Sequence, residues 1–209
     1  MDEIEWWEFD TPAELAEQAA GDIGFVVESA VAAHGGARLA LGARSGAADA
    51  VLKALAAAKG IEWGKVTIVP TDEAAEAALA ALGRKGATIV PLAGGDARAA
   101  DARLAELQWP LDLVMLTADA DGGVAGIAPG ADMEQAVAGP RGRRVVASGG
   151  RLTLTADAIT SARAVMLVVT GAEARAAVER GIDQGPLSAT PVGRVMAAID
   201  AAVDVFWTA

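Results

Sequence analysis

The sequence predicts an α/β domain: a mainly parallel sheet with helices on both faces. Three observations lead there. The runs at residues 113–116 and 164–170 are short and apolar, the signature of strands buried on both sides. Other segments are rich in alanine, and their apolar residues recur at helical spacing, as at Ala16, Ala19, Ala20, Ile23, Val26, Val27 and Ala30. The two kinds alternate through most of the chain, the pattern of successive strand–helix–strand units.

Each element has a local reason. Residues 4–9 mix apolar and acidic side chains and read as a first strand; at least one of Trp6 and Trp7 then faces outward, marking an interface if exposed or joining the core if a helix covers it, and the core is the favoured reading. Asp10-Thr11-Pro12 starts the first helix with a capping side chain followed by proline. His34-Gly35-Gly36 ends it, and His34 reads as a cation at the helix C-terminus. Residues 38–41 form a strand, and 42–46 turn into a helix reaching about Lys59. Residues 66–69 form the next strand, and Thr71-Asp72-Glu73 caps a helix ending near Gly83. Strand 87–92, helix 96–107 and strand 112–116 follow. Residues 144–148 and 152–155 read as a late hairpin through Gly149-Gly150. Strand 164–170, a helix over 172–180, a loose stretch over 181–191 and a C-terminal edge strand at 203–207 complete the chain. With no internal repeat and no long linker, residues 1–209 read as a single domain.

Composition narrows the function. The formal net charge of −11 opposes nucleic acid, whose phosphates would be repelled. It also requires any anionic ligand to be met by a local group of cations or backbone amides. No apolar stretch approaches the ~20 residues that span a bilayer, and no basic-then-apolar leader is present, so the expectation is a cytoplasmic protein without membrane contact. The absence of cysteine removes disulfides, thiolate zinc sites and cysteine nucleophiles. The run Thr117-Ala118-Asp119-Ala120-Asp121-Gly122 has the look of a calcium loop, but Thr117 and Ala128 stand where the first and last ligands belong, so no metal is expected.

In a parallel sheet, ligands bind beyond the carboxyl ends of the strands. That singles out loops 42–46, 70–73 and 117–130. In the first, LALGARSGAADAVLKAL, a strand runs through Gly42 into a helix start whose free amides suit a phosphate. Ser45 adds a hydroxyl and Arg44 a forked cation. The Gly-Lys-Ser/Thr ending of a Walker loop is missing.

LALGARSGA, KVTIVPTDE, DLVMLTADADGGVAGIAPG and RLTLTADAITSARAVMLVVTGAEAR, in this order, resemble segments of the 6-phosphogluconolactonases. LALGARSGA is similar to their L-A-L-S-G-G-S-T-P, and KVTIVPTDE to K-V-x-x-x-x-x-D-E-R-W. DLVMLTADADGGVAGIAPG resembles D-L-V-L-L-G-M-G-E-D-G-H-T-A-S-L-F-P-G. RLTLTADAITSARAVMLVVTGAEAR resembles R-I-T-L-T-x-x-x-L-x-x-A-x-x-x-x-x-L-V-x-G-x-x-K, and TPVGRV with DVFWTA resembles the family's ending. The resemblance implies the Rossmann-like fold shared with the glucosamine-6-phosphate isomerases, and hydrolysis of a sugar-phosphate δ-lactone without metal or organic cofactor. It implies substrate binding by Gly42, Arg44, Ser45, Asp72, Glu73, Gly122, Gly123, Arg151 and Arg175, with a small-molecule sugar phosphate as partner and a monomer or small homo-oligomer as the working form.

The departures from the family pattern fall on the chemistry. The histidine of D-G-H, taken as the base that activates water, is replaced by Gly123. Ala74-Ala75 stand where R-W is usual, Gly46-Ala47 replace threonine and proline, and Arg44 replaces a glycine, so that its side chain can fill the pocket as readily as serve it. Asp121 and Asp119 are then the candidate catalytic groups, as carboxylates able to orient or activate water. No Ser-His-Asp triad can be assembled without His34, the only histidine. The alternative expectation is a non-catalytic relative that binds a sugar phosphate or a protein partner. An isomerase of amino-sugar phosphates would need the same missing acid–base groups.

Overall fold

The computed structural model describes residues 4–209. The strands are β1 (Ile4–Phe9), β2 (Ala37–Leu41), β3 (Val66–Pro70), β4 (Thr88–Ile89), β5 (Leu113–Thr117), β6 (Val145–Ser148), β7 (Arg151–Leu154), β8 (Val165–Thr170) and β9 (Val203–Thr208). The helices are α1 (Pro12–His34), α2 (Gly46–Ala57), α3 (Glu76–Arg84), α4 (Ala97–Ala105), α5 (Met133–Val137), α6 (Ala156–Thr160), α7 (Ala172–Gln184) and α8 (Pro191–Ala198), with 3-10 turns at Trp63–Lys65, Glu73–Ala75 and Gly185–Leu187.

Seven strands form one sheet in the order β1-β9-β8-β5-β2-β3-β4, every pair parallel. β6 and β7 form a separate antiparallel hairpin, as the Gly149-Gly150 turn predicts. Side-chain alternation sends the two faces of each strand into two cores. Leu39, Leu41, Ile68, Met115, Val168 and Phe206 face α1, α2 and α3. Ala40, Val69, Val114, Leu116, Leu167 and Val205 face the helices of the other layer. All five residues of β5 are buried, which is why its sequence shows an apolar run and no alternation.

The helix ends follow their sequence signals. The Thr11 side chain accepts a hydrogen bond from the Glu14 amide at 3.2 Å, and Gly35, at φ +83°, closes α1 through a bond to the Val31 carbonyl. His34 sits at the opposite end of the sheet from the three loops. Its Nε2 lies 3.0 Å from Asp112 Oδ1, while Asp112 Oδ2 accepts the Arg38 amide at 2.8 Å.

Four expectations are corrected. The C-terminal strand is not an edge: β9 pairs with both β1 and β8, and β1 is the edge. Its apolar alternation could not reveal that the N-terminal strand would cover it. The stretch after residue 180 is not loose, because α7 runs on to Gln184 and a 3-10 turn follows. The strand expected over 87–92 pairs only at Thr88 and Ile89. Trp7 is 42% exposed and donates to Asp204 Oδ1 at 3.2 Å, so it lies at the rim rather than in the core.

No helix among the described residues is long and apolar enough to cross a membrane. Phe206 anchors the edge of the sheet, stacked on Phe9 at 5.6 Å and fully enclosed. Phe206→Ala is expected to lower unfolding free energy by about 3–5 kcal/mol, read from urea denaturation. A loss below about 1 kcal/mol would show that the edge repacks freely.

Candidate active site

In the sheet order, β2 and β5 are neighbours, yet the chain proceeds from them in opposite directions, to β3 on one side and to β8 on the other. A crevice opens at such a reversal, beyond the carboxyl ends of the strands. Gly42 closes β2 by donating its amide to the Met115 carbonyl at 2.8 Å. A Cβ on Gly42 would stand 3.1 Å from Thr71 Oγ1 and 3.2 Å from that carbonyl, so the ends of β2, β3 and β5 approach one another closely here.

A cavity of about 370 Å3 lies there, lined by Arg44, Ser45, Asp119, Thr170, Gly171 and neighbours. Two helix N-termini meet at it. Ser45 caps α2, its hydroxyl oxygen accepting from the Ala48 amide at 3.1 Å. Gly171 caps α7 with no side-chain acceptor, leaving first-turn amides for a ligand. Glu173 also lines the cavity. Side-chain oxygens of Thr71, Asp72, Thr117 and Thr170 are buried without partners among the described residues, all at or just beyond the carboxyl ends of strands. A larger cavity of about 610 Å3 lies between α1 and α2, walled by alanine and glycine with Glu17 and Glu28 beside Lys59. It sits on the flank of the sheet and lacks the convergence of cation and helix ends, so the chemistry favours the smaller one.

Arg44 crosses the cavity mouth. Its Nε and Nη2 donate to Asp119 Oδ2 at 3.2 and 3.0 Å. Asp119 opens a tight loop in which its amide donates to the Gly123 carbonyl at 2.9 Å and its own carbonyl accepts from Gly122. Asp121 is exposed and caps the same turn, its Oδ1 accepting the Gly123 amide at 2.9 Å. A Cβ at Gly123 would lie 3.1 Å from Asp121 Oδ1 and 3.3 Å from Asp119 Oδ2, so two carboxylates flank the place where a side chain would stand.

The loop is clamped from both sides. Gly122, at φ +85°, lies against Thr190, and its carbonyl accepts the Val192 amide at 3.0 Å, fixing the loop to the start of α8. Gly126, at φ +80°, lies against Asp72, where a Cβ would come within 2.5 Å of the aspartate Cβ. Asp72 is buried, and its Oδ1 accepts the amides of Ala74 and Ala75 at 2.7 and 3.2 Å. Burial pushes its carboxyl up from the ordinary value of 3.8, against the opposing pull of Arg44, the two amides and Arg151. Glu73 accepts the Leu152 amide at 2.8 Å and so pins the β6–β7 hairpin, which carries Arg151.

Thus Arg44, Ser45 and Asp119 line one cavity, with Gly42 beneath it and Asp121, Gly122 and Gly123 in the adjoining turn. Asp72, Glu73 and Arg151 form a neighbouring group. Arg175 stands apart from the cavity lining. Its guanidinium lies between the indoles of Trp6 and Trp207, 5.1 and 4.6 Å from their centroids, and pairs with Glu8 and Glu179, each at 2.8 Å. Thr190, Gly126 and the α7 amides were not singled out from sequence. The glycines at 122 and 126 are the trace of the clamp in the sequence, and glycine alone does not say what it approaches.

Residues 10–207 match the family model for glucosamine-6-phosphate isomerases/6-phosphogluconolactonase. The chain belongs to this family. A 6-phosphogluconolactonase of Mesorhizobium japonicum is 33% identical over 97% of this chain and 94% of its own length. One of Rhizobium meliloti is 27% identical over 95% and 96%. Among solved structures, a 6-phosphogluconolactonase of Shewanella baltica superposes with a TM-score of 0.83 at 26% identity, covering 100% of this chain and 99% of that one. The seven-stranded parallel sheet is therefore the fold of this lactonase and isomerase family, as the motifs in the sequence imply.

The raised carboxyl of Asp72 has a measurable consequence. A folded-state value above the unfolded one means that stability is fully present below pH 3.8 and is lost as pH rises through the folded value. Asp72→Asn keeps an oxygen for the two amides and removes that charge. It is expected to be more stable than the wild type at pH 7, with the difference fading as the pH falls toward 3.8. Denaturant titrations at the two pH values check this, and a variant less stable at pH 7 would count against it.

Proposed function

We propose that this protein hydrolyses 6-phosphogluconolactone to the open-chain acid, the lactonase step of a pentose phosphate type of pathway, in the cytoplasm, as a monomer or small homo-oligomer. The observation that carries the reading is the 33% identity, over nearly the full length of both chains, to the Mesorhizobium 6-phosphogluconolactonase. The cavity agrees with it. Arg44, the Ser45 hydroxyl and the amides opening α7 suit a phosphate monoester, and loop 119–123 would lie over the lactone carbonyl.

The reaction needs water, a group to take its proton and a route for that proton to the leaving ring oxygen. Where the family pattern places histidine, this chain has Gly123 flanked by the oxygens of Asp119 and Asp121. A positioned general base contributes roughly 10²–10⁴ in rate, about 3–5 kcal/mol of barrier. The two carboxylates are the groups placed to supply it.

A coupled assay of lactone opening tests the reading. Hydrolysis of 6-phosphogluconolactone should exceed the spontaneous rate. Arg44→Ala should raise KM by about 10–100-fold through loss of a charged hydrogen-bond pair to the phosphate. Gly123→His requires shifts of a few tenths of an ångström from Asp119, Asp121 and the Ile127 carbonyl, and should raise kcat. If the wild type gives no rate above background while 6-phosphogluconate raises its melting temperature, the protein binds without turnover and the proposal is wrong.

A further inference from the structure

Three positions depart from the family pattern in ways that meet in space. The pattern has glycine where this chain has Arg44, glycine where it has Asp119, and histidine where it has Gly123. The two added side chains bond to each other, with Arg44 Nε and Nη2 both on Asp119 Oδ2. That same Oδ2 lies 3.3 Å from where the missing side chain would begin. An acceptor thus stands beside the place where the pattern has its histidine, and an arginine that also lines the cavity with Ser45 covers it.

We infer that Asp119 is the general base of this enzyme and that the substrate's own phosphate releases it from Arg44. The inference rests on the lactonase reading. The pair can open, since both guanidinium nitrogens share the single oxygen Oδ2 and about a third of each side chain is open to solvent that competes for it. A phosphate monoester carries roughly two negative charges at pH 7. It therefore outcompetes one carboxylate for the guanidinium and repels that carboxylate at the same time. Arg44 and Ser45 line one cavity with Gly171, so the phosphate that claims Arg44 has the α7 N-terminus on its other side.

Freed, Asp119 takes a proton from water as the water oxygen bonds to the lactone carbonyl carbon. The tetrahedral intermediate collapses by breaking the bond between that carbon and the ring oxygen, which receives the proton back from Asp119. The new carboxylic acid loses its remaining proton to solvent, and Asp119 ends as it began. Asp121 stays on the Gly123 amide and holds the turn. Without a phosphate Arg44 keeps the base occupied, so unphosphorylated lactones are poor substrates for a reason separate from weak binding.

The test supplies the substrate in two pieces. Hydrolysis of unphosphorylated glucono-δ-lactone is followed with and without inorganic phosphate, subtracting the protein-free rate at each phosphate concentration. Phosphate should stimulate the wild type saturably, by about 10-fold or more. Asp119→Asn, of nearly the same shape, should abolish the stimulation while keeping its melting temperature. Arg44→Ala should show raised hydrolysis of this lactone without phosphate and no further response to it. No stimulation of the wild type, or equal stimulation of Asp119→Asn, overturns the inference. If the wild type opens 6-phosphogluconolactone and Asp119→Asn does so at the same rate, the lactonase reading stands and this inference falls. If the wild type opens neither lactone above background, both fall.

Discussion

The reversal of chain direction between β2 and β5 is the constraint on which the site depends. Both strands are parallel and adjacent, and their following loops leave on opposite sides. That splits the carboxyl edge of the sheet and turns the N-termini of α2 and α7 toward one opening. A chain with a net charge of −11 has few ways to hold an anion, and backbone amides at helix ends are the ones that charge composition cannot remove. At position 42 three strand ends come close together and frame that opening.

The loop over the opening is held by a different set of contacts. Gly122 lies against Thr190 and Gly126 against the buried Asp72, each at a positive φ and with no room for a Cβ. The loop therefore keeps its shape through backbone approach to α8 and to the end of β3. Asp72 is costly to hold there, because burial disfavours its charge, and its two amide donors and the nearby arginines offset only part of that cost. A loop held in this way can lose a side chain at position 123 without losing the geometry that presents Asp119 and Asp121.

Much of this was legible in the sequence, for reasons that are local. Thr11-Pro12 and Gly35 bracket α1 because capping needs only neighbouring residues. The uninterrupted apolar run of β5 announces a central strand, and Gly42-Ala43-Arg44-Ser45 announces the turn into α2, which Ser45 caps. What escaped is non-local or too short. β9 carries the alternation of an edge strand, but β1, from the other end of the chain, covers it. α5 and α6 have five residues each, too few for a helical period to show. Arg175 occupies a basic position of the family pattern, yet Trp6 and Trp207 close on it from distant strands. The bond between Arg44 and Asp119 spans 75 residues of sequence and leaves no trace in either segment alone.

A structure of the protein with 6-phosphogluconate bound tests the central claim most directly. The phosphate should lie between Ser45 and the backbone of Gly171–Ala174, with Arg44 turned onto it and away from Asp119. A phosphate seated elsewhere, for instance between α1 and α2, or one seated in the cradle while Arg44 remains on Asp119, would contradict it.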